Sequence, residues 1–268
     1  MVFDSNRAWK EASAAIFANR EVLLALVGVF FFLPSFAIIM LIKQPQMQAG
    51  ASPEQLMAAL KPFFFSLAPW FVLGFVIQAL GQLTLFELLD RGRNSTVGEA
   101  LRKGALSLPS YLVVQLTTGV ILTIVMSLAL VAGSIVSPVL GFALALYLVC
   151  QAYARFVSAG AVIVLERQLN PFKALGRAVL LTRNKGFRLG NFLFLLFVVF
   201  FVAYFALTIL IGILAALSVG QGRMAEIVTG FFSSALAATA AAYFSAITVA
   251  IYRQLAGPST AAVSATFE

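Results

Sequence analysis

Five polar side chains interrupt long apolar stretches of the sequence and are the first candidates for chemistry. They are four glutamines and one arginine: Gln78, Gln82, Gln115, Gln151 and Arg155. Gln78 and Gln82 share one face of a helix, and so do Gln151 and Arg155, because each pair is separated by one helical turn. If the five converge, they form a polar site in which a small solute binds. Otherwise the glutamines form hydrogen bonds between helices, which is the commoner role of such groups in membranes.

Arg155 has two interpretations. An arginine at the centre of a bilayer costs roughly 2.5–3.5 kcal/mol on insertion scales, so its presence there would indicate a function. Alternatively, the hydrocarbon layer ends near Arg155, and its side chain extends to lipid phosphates or pairs with Glu87 or Glu166. We favour the second interpretation.

Basic residues form the second candidate set, and their chemistry is the binding of anions. The members are Arg102, Lys103, Arg167, Lys173, Arg177, Arg183, Lys185 and Arg188. Lys173 and Arg177 repel one another across one helical turn unless an anion lies near both, and a lipid headgroup phosphate meets that need. We therefore predict contact with anionic headgroups, although membrane topology alone also explains a cluster of positive charge.

The composition argues against an enzyme. The chain has no histidine and one cysteine, Cys150, and its ten acidic residues are scattered. A disulfide within the chain is excluded, and the sequence lacks the usual ligands of metal or haem sites and the usual general base. We expect no cofactor and no catalysis. A membrane-embedded enzyme would have to use the carboxylates of Glu87, Asp90 and Glu166.

The distribution of apolar residues identifies an integral membrane protein of the all-α class. Hydrophobic residues make up 62% of the 268 positions and charged residues 10%, and the mean hydropathy is +1.00. Apolar runs predict a single six-span domain, residues 1–256, followed by a disordered tail, residues 257–268. The predicted transmembrane helices are 22–42, 63–85, 109–131, 139–164, 191–217 and 226–253. Pro34 is expected to kink the first of them.

Amphipathic segments precede the first, third and fifth spans. Each begins with a capping residue (Asp4, Thr96 or Asn170), has an alanine four positions later, and continues with a large apolar residue and a nearby cation. We predict interfacial helices at these three places. Because each leads into a pair of spans, we hypothesise three repeated modules, each an interfacial helix plus a transmembrane hairpin. The alternative is that any short basic loop has this character.

The distribution of positive charge predicts the orientation. All but three of the 18 lysine and arginine residues fall on one side of the predicted membrane. The positive-inside rule places this side, with both termini, in the cytoplasm. The net charge of +8 is then mainly a topology signal, with attraction to anionic lipid as a second use, and it does not indicate nucleic-acid binding.

The last two predicted spans differ in the size of their side chains. The fifth is bulky on all sides, with five phenylalanines in the run 192–201, and is expected to face lipid. The sixth has a ridge of small residues at every fourth position: Gly230, Ser234, Ala238, Ala242 and Ala246. Such a ridge predicts close packing against other helices.

A motif between residues 153 and 183 resembles a known family. Tyr153-Ala-Arg155 is followed by Glu166, by Pro171 and by the run Ala174-Leu-Gly-Arg-Ala-Val-Leu-Leu-Thr-Arg183. This is similar to the pattern Y-x-R…E…P…A-L-x-R-[SA]-x-x-L-T-[RK] of bacterial inner-membrane proteins of the YciC type. The related membrane domain beside some glycerophosphodiester phosphodiesterases shares the pattern.

Two further stretches fit the YciC type: Met57-Ala-Ala59 after Ser52-Pro-Glu-Gln55, and Ala100-Leu-Arg102 before Leu108-Pro109. The sequence departs from the family where Ala178 replaces the usual serine. The resemblance implies a six-span, all-helical protein of poorly defined function in the bacterial cytoplasmic (inner) membrane. It does not imply phosphodiesterase activity, because these residues contain no soluble catalytic domain.

The sequence therefore predicts a non-catalytic membrane protein in envelope maintenance or membrane organisation. Its expected partners are anionic membrane lipids, a membrane protein or a second copy of the chain. The alternative is a small solute or lipid transporter with a polar site between the second, third and fourth spans.

Overall fold

Helices make up all the regular structure of the described residues. The structure is a computed structural model that describes residues 3–41, 52–90, 95–135, 137–220 and 222–257. The helices are α1 (Ser5–Ala18), α2 (Arg20–Val27), α3 (Leu33–Leu41), α4 (Pro53–Leu89), α5 (Val97–Ser134), α6 (Pro138–Tyr153), α7 (Ala159–Leu165), α8 (Pro171–Thr182), α9 (Gly186–Val219) and α10 (Arg223–Ala256). The predicted disordered tail lies outside the described residues, apart from Gly257.

Five helical segments are long and apolar enough to cross a membrane. They are Arg20–Leu41, Leu60–Leu89, Val97–Ser134, Gly186–Val219 and Arg223–Ala256, with mean hydropathies between 1.7 and 2.9. About 20 apolar residues are needed to cross the hydrocarbon layer as a helix. The chain is therefore an all-α protein of the membrane-spanning class.

The predicted fourth span, 139–164, is two helices rather than one. α6 ends at Tyr153, and α7 begins at Ala159. Between them the backbone tightens into turns, and the N–H of Phe156 donates to the Tyr153 carbonyl, three residues back, at 2.9 Å. α6 alone has 16 residues, which is short for a transmembrane helix.

The first span is distorted just before Pro34, where the sequence predicts a kink. A π-helical turn, Gly28–Phe32, joins α2 to α3, and the Leu33 N–H donates to the Gly28 carbonyl, five residues back. A proline ring crowds the preceding helical turn and offers no N–H of its own. The wider π turn accommodates both effects and lets the helix continue.

Two helices run further than the sequence predicts. The short helix expected from Thr96 to about residue 107 continues into the third span as α5, with Pro109 inside it. α4 likewise passes through Pro62 and Pro69 without interruption. A proline removes one hydrogen bond from a helix, and the remaining bonds of these long helices hold the chain helical.

The three predicted helix caps are present. Asp4 and Asn170 each accept hydrogen bonds from two backbone N–H groups of the first turn, and Thr96 forms a capping box with Glu99. These caps fix where α1, α5 and α8 begin.

The core of the molecule lies where α7 meets the C-terminal parts of α4 and α10. Residues 83–87, 159–165 and 245–251 are all buried. Hydrogen bonds between side chains join these three segments near their ends. Tyr252 Oη donates to Glu166 Oε1 at 3.1 Å, and Arg253 Nη2 donates to Asp90 Oδ1 at 3.0 Å.

The two ends of the described chain meet on this side of the molecule. The Asp4 N–H donates to Gln254 Oε1 at 3.1 Å, and Gln254 Nε2 donates to the Asp4 carbonyl at 3.2 Å. We call the end that holds α1, residues 97–108 of α5 and α8 the basic end. At the opposite end α5 and α6 approach very closely, since a Cβ on Gly133 would lie 2.2 Å from the Cα of Gly141.

Candidate functional site

α8 has one face inside the protein and another on its surface. Its buried side consists of Ala174, Leu175, Ala178 and Thr182, and the helix packs against α7 and α5. Small side chains on this face allow the close approach. The helix is held firmly in place by the face that lacks positive charge.

The outer face of α8 combines apolar and cationic side chains. Phe172 is 68% exposed and Leu180 is 63% exposed. Lys173 is also exposed and precedes Leu180 by two helical turns, so the two share this face. An exposed apolar face bordered by cations is the geometry of a helix that lies in a membrane interface.

The other two predicted interfacial helices have the same buried small face. Ala8, Ala100 and Ala174 are each 0% exposed. A second buried small residue follows four positions later, which gives the pairs Ala8/Ala12, Ala100/Gly104 and Ala174/Ala178. α1 packs on α10, the start of α5 packs on α4, and α8 packs on α7.

Two of the eight predicted headgroup residues form ion pairs inside the molecule. Lys103 Nζ lies 2.5 Å from Oε1 of Glu87, whose side chain is 0% exposed, and Arg177 Nε lies 3.2 Å from Oε1 of Glu166. Lys103 therefore neutralises a buried carboxylate. The remaining six form no ion pair with any described residue: Arg102, Arg167, Lys173, Arg183 and Arg188 are exposed, and Lys185 is half-buried.

Arg155 fixes the corner between α8 and α9, a role that neither sequence interpretation included. Its Nη1 donates to the carbonyls of Thr182 and Arg183 at 3.4 and 3.3 Å. In return, Thr182 Oγ1 lies 3.4 Å from the Arg155 carbonyl oxygen. The last carbonyls of a helix lack partners within it and attract cations. Arg155 thus caps the C-terminus of α8.

The five polar candidates do not form one site. Gln151 Nε2 donates to Asn191 Oδ1 on α9 at 2.7 Å, and Gln78 Nε2 donates to Ser35 Oγ on α3 at 3.2 Å. Both are hydrogen bonds between helices. Gln82 and Gln115 do come together and line one small cavity between α4 and α5.

The carboxylates that an enzyme would need each have a cationic partner. Lys103 pairs with Glu87, Arg253 pairs with Asp90, and Arg177 pairs with Glu166. Across the described ranges, no three His, Cys, Asp or Glu side chains are grouped closely enough to hold a metal ion.

Sequence reasoning missed the two glycines of α9 that receive these polar side chains. A Cβ at Gly186 would lie 2.5 Å from Arg155 Cζ, and one at Gly190 would lie 2.1 Å from Gln151 Oε1. The glycines are separated by one helical turn, as are Arg155 and Gln151, and this matched spacing is the signal that could have revealed the contact.

Comparison with known protein families, with curated proteins and with solved structures finds no match to this chain. The class of protein is therefore assigned from the structure alone: an all-α protein with several helices long and apolar enough to span a membrane.

Proposed function

We propose that the protein is a non-catalytic, multi-pass protein of the bacterial cytoplasmic membrane that contacts anionic lipid headgroups at its basic end. In this role it organises lipid or holds a membrane partner in envelope maintenance, as a relative of the YciC type. The proposal depends most on the outer face of α8, where Phe172 and Leu180 are exposed beside Lys173, which has no ion pair among the described residues.

The path of the chain supports six crossings. Asp4 contacts Gln254, so the described chain begins and ends on the same side, and an even number of crossings is required. α6 begins near Gly133 at the opposite end, and the residue after α7, Glu166, contacts Tyr252 at the basic end. In the proposal, α6, the turns after it and α7 together make the fourth crossing along the chain, which brings the total to six.

The packing of the interfacial helices supports three modules. Each interfacial helix lies on the returning segment of the preceding module: the start of α5 on α4, α8 on α7, and α1 on α10. The last contact closes the series into a ring. A common buried pair of small residues in α1, α5 and α8 supports the same interpretation.

Charge supports the orientation and the lipid contact together. The basic end has Lys173 of α8 and the cations of the α8–α9 corner, which form no ion pair within the described part of the chain, and the positive-inside rule favours the cytoplasm for that end. The cytoplasmic leaflet is anionic, and each lysine or arginine near its surface contributes about 1 kcal/mol of attraction. The exposed Phe172 and Leu180 add apolar contact at the same depth.

The transporter alternative has less support. Gln78 and Gln151 serve separate contacts between helices, and Arg155 caps α8. The cavity shared by Gln82 and Gln115 has a water-accessible volume of about 10 Å³, which is room for about one water molecule.

Lipid binding to the full chain in nanodiscs tests the proposal. Nanodiscs contain phosphatidylglycerol and phosphatidylcholine, and native mass spectrometry measures how tightly each lipid is retained. The double variant Lys173→Glu/Arg183→Glu should weaken phosphatidylglycerol retention by about tenfold or more, since two attractive charges become repulsive. Retention of phosphatidylcholine should not change.

Lys61 provides the matched control, because it is exposed near the start of α4, away from the basic end. Lys61→Glu should leave phosphatidylglycerol retention at the wild-type level. Equal effects of the α8 double variant and of Lys61→Glu, or no effect of either, would remove the proposed contact.

A further inference from the structure

A small cavity lined in part by polar side chains lies between the core helices. Gln82 of α4, Gln115 and Thr118 of α5, and Thr248 of α10 border it, and the aromatic ring of Phe86 forms part of its wall. The α6–α7 junction also contributes to the lining. The cavity is therefore a meeting point of the core helices rather than a surface groove.

One polar group at this cavity has no hydrogen-bond partner in the described ranges of the chain. Thr118 is 4% exposed, and its Oγ1 forms no hydrogen bond with any described residue. A buried hydroxyl without a partner destabilises the folded state, so native proteins seldom keep one unsatisfied. Since Thr118 lines the cavity, a ligand there would lie within reach of its hydroxyl group.

The lining offers further hydrogen-bonding groups. The Tyr111 hydroxyl donates to Gln82 Oε1 at 2.6 Å, which orients that amide and leaves its NH₂ group as a donor. Gln115 is half-buried, one helical turn before Thr118 on the same face of α5. A ligand between them would find both donors and acceptors.

The volume of the cavity limits which ligand can occupy it. Its volume of about 10 Å³ is close to the minimum that holds one water molecule, and a buried water needs two to four polar partners. We infer that this cavity is a binding site for one structural water, which bridges Thr118 of α5, Gln115 and the Gln82 amide of α4.

The water has a structural role at the interrupted fourth span. Irregular backbone at membrane depth is tolerated where it is buried in protein or next to internal water. The turns between α6 and α7 line the cavity through Phe156 and Val157. The bound water therefore joins α4 to α5 beside the point where the α6–α7 segment leaves regular helix. This inference is independent of the proposed lipid contact.

Radiolytic labelling of the full chain in nanodiscs tests for the water directly. A short X-ray pulse converts water into hydroxyl radicals, which oxidise the side chains that touch it. Phe86 borders the cavity and is 2% exposed, whereas Phe31 is 7% exposed and lies elsewhere. Phe86 should be oxidised several times faster than Phe31. Equal or slower oxidation of Phe86 would overturn the inference.

Thermal unfolding supplies the second test, because a wet and a dry cavity predict opposite signs. With water bound, Thr118→Val removes a hydrogen bond and should lower Tm by about 2–4 °C. In a dry cavity the same change removes an unsatisfied hydroxyl and would leave Tm equal or higher. Thr118→Ser keeps the hydroxyl and should keep the oxidation rate of Phe86.

Thr208 is the matched control. Its Oγ1 is also buried and forms no hydrogen bond with a residue that the structure describes, but it lies on α9 and does not border the cavity. Thr208→Val should leave Tm unchanged or raise it. A shift of the same sign and size for Thr118→Val and Thr208→Val would contradict the bound water.

Discussion

α9 and α10 are neighbouring helices of equal length in opposite environments. Each has 34 residues. The most apolar part of α9 has a mean hydropathy of 2.9, and 6% of its residues are buried within the protein. The corresponding part of α10 has a mean hydropathy of 1.7, and 56% of its residues are buried. In a water-soluble protein the more apolar helix would be the inner one. Lipid tails are as apolar as leucine, so close packing rather than hydrophobicity decides which helix is inside a membrane protein.

The residues of the two helices explain the difference. All five residues of the small-residue ridge of α10, from Gly230 to Ala246, are buried. α10 contacts α1, α4, α7 and α9. α9 buries little beyond its first turns, where Gly186 and Gly190 receive polar side chains. The predicted packing of the ridge and the predicted exposure of the bulky helix both agree with this arrangement.

The largest expected effect comes from enlarging a small residue on each helix. Ala246 is buried on α10, and Ala203 is exposed on α9. Ala246→Leu should destabilise the protein by about 1–3 kcal/mol, because three added carbon atoms have no space. Ala203→Leu should change stability by no more than about 0.5 kcal/mol. Thermal unfolding in nanodiscs measures both, and equal losses would mean that α9 also packs against protein.

Removing one positive charge from each helix should give a smaller contrast. Arg253 on α10 bonds Asp90 and the Leu89 carbonyl and is partly buried, whereas Arg188 on α9 is exposed and has no ion pair with a described residue. Arg253→Gln should cost about 1–2 kcal/mol, with solvent screening included. Arg188→Gln should cost less than about 0.5 kcal/mol. A larger loss for Arg188→Gln would contradict the central position of α10.

Substitution of Arg155 tests the corner between α8 and α9, where its guanidinium group bonds backbone carbonyls. Arg155→Gln loses the bonds to the Thr182 and Arg183 carbonyls and should cost about 1 kcal/mol. Hydrogen exchange should rise at residues 182–190, while residues 245–251 of α10 stay protected. Arg155→Lys keeps a cation at the end of α8 and should restore part of the protection. Faster exchange in both regions would show that Arg155 supports the whole core instead of one corner.

Features determined by neighbouring residues were predictable from the sequence. The caps at Asp4, Thr96 and Asn170 depend on side chains that bond backbone within three residues, so their spacing was sufficient. The pattern also singled out Ala8, Ala100 and Ala174, although their burial was found only in the structure. The exposed cations of α8 were identified for the same reason.

Features determined by distant contacts were not predictable. The stretch 139–164 is largely apolar apart from Gln151, Arg155 and Ser158, and neither proline nor glycine lies in 154–158 to mark the break. The break depends on how α7 is enclosed by α4, α5 and α8, which no local pattern records. The role of Arg155 likewise depends on carbonyls at Thr182 and Arg183, which become its neighbours only after α8 has folded back.

The contact between Asp4 and Gln254 has a consequence for biosynthesis. α1 leaves the ribosome before α10, and the surface on which Ala8, Ala12 and Ala15 are buried belongs to α10. While the intervening chain is made and inserted, α1 therefore lacks α10, the helix on which it packs. A nascent chain that stalls before α10 leaves this alanine face uncovered, which distinguishes it from a chain in which α10 has been made.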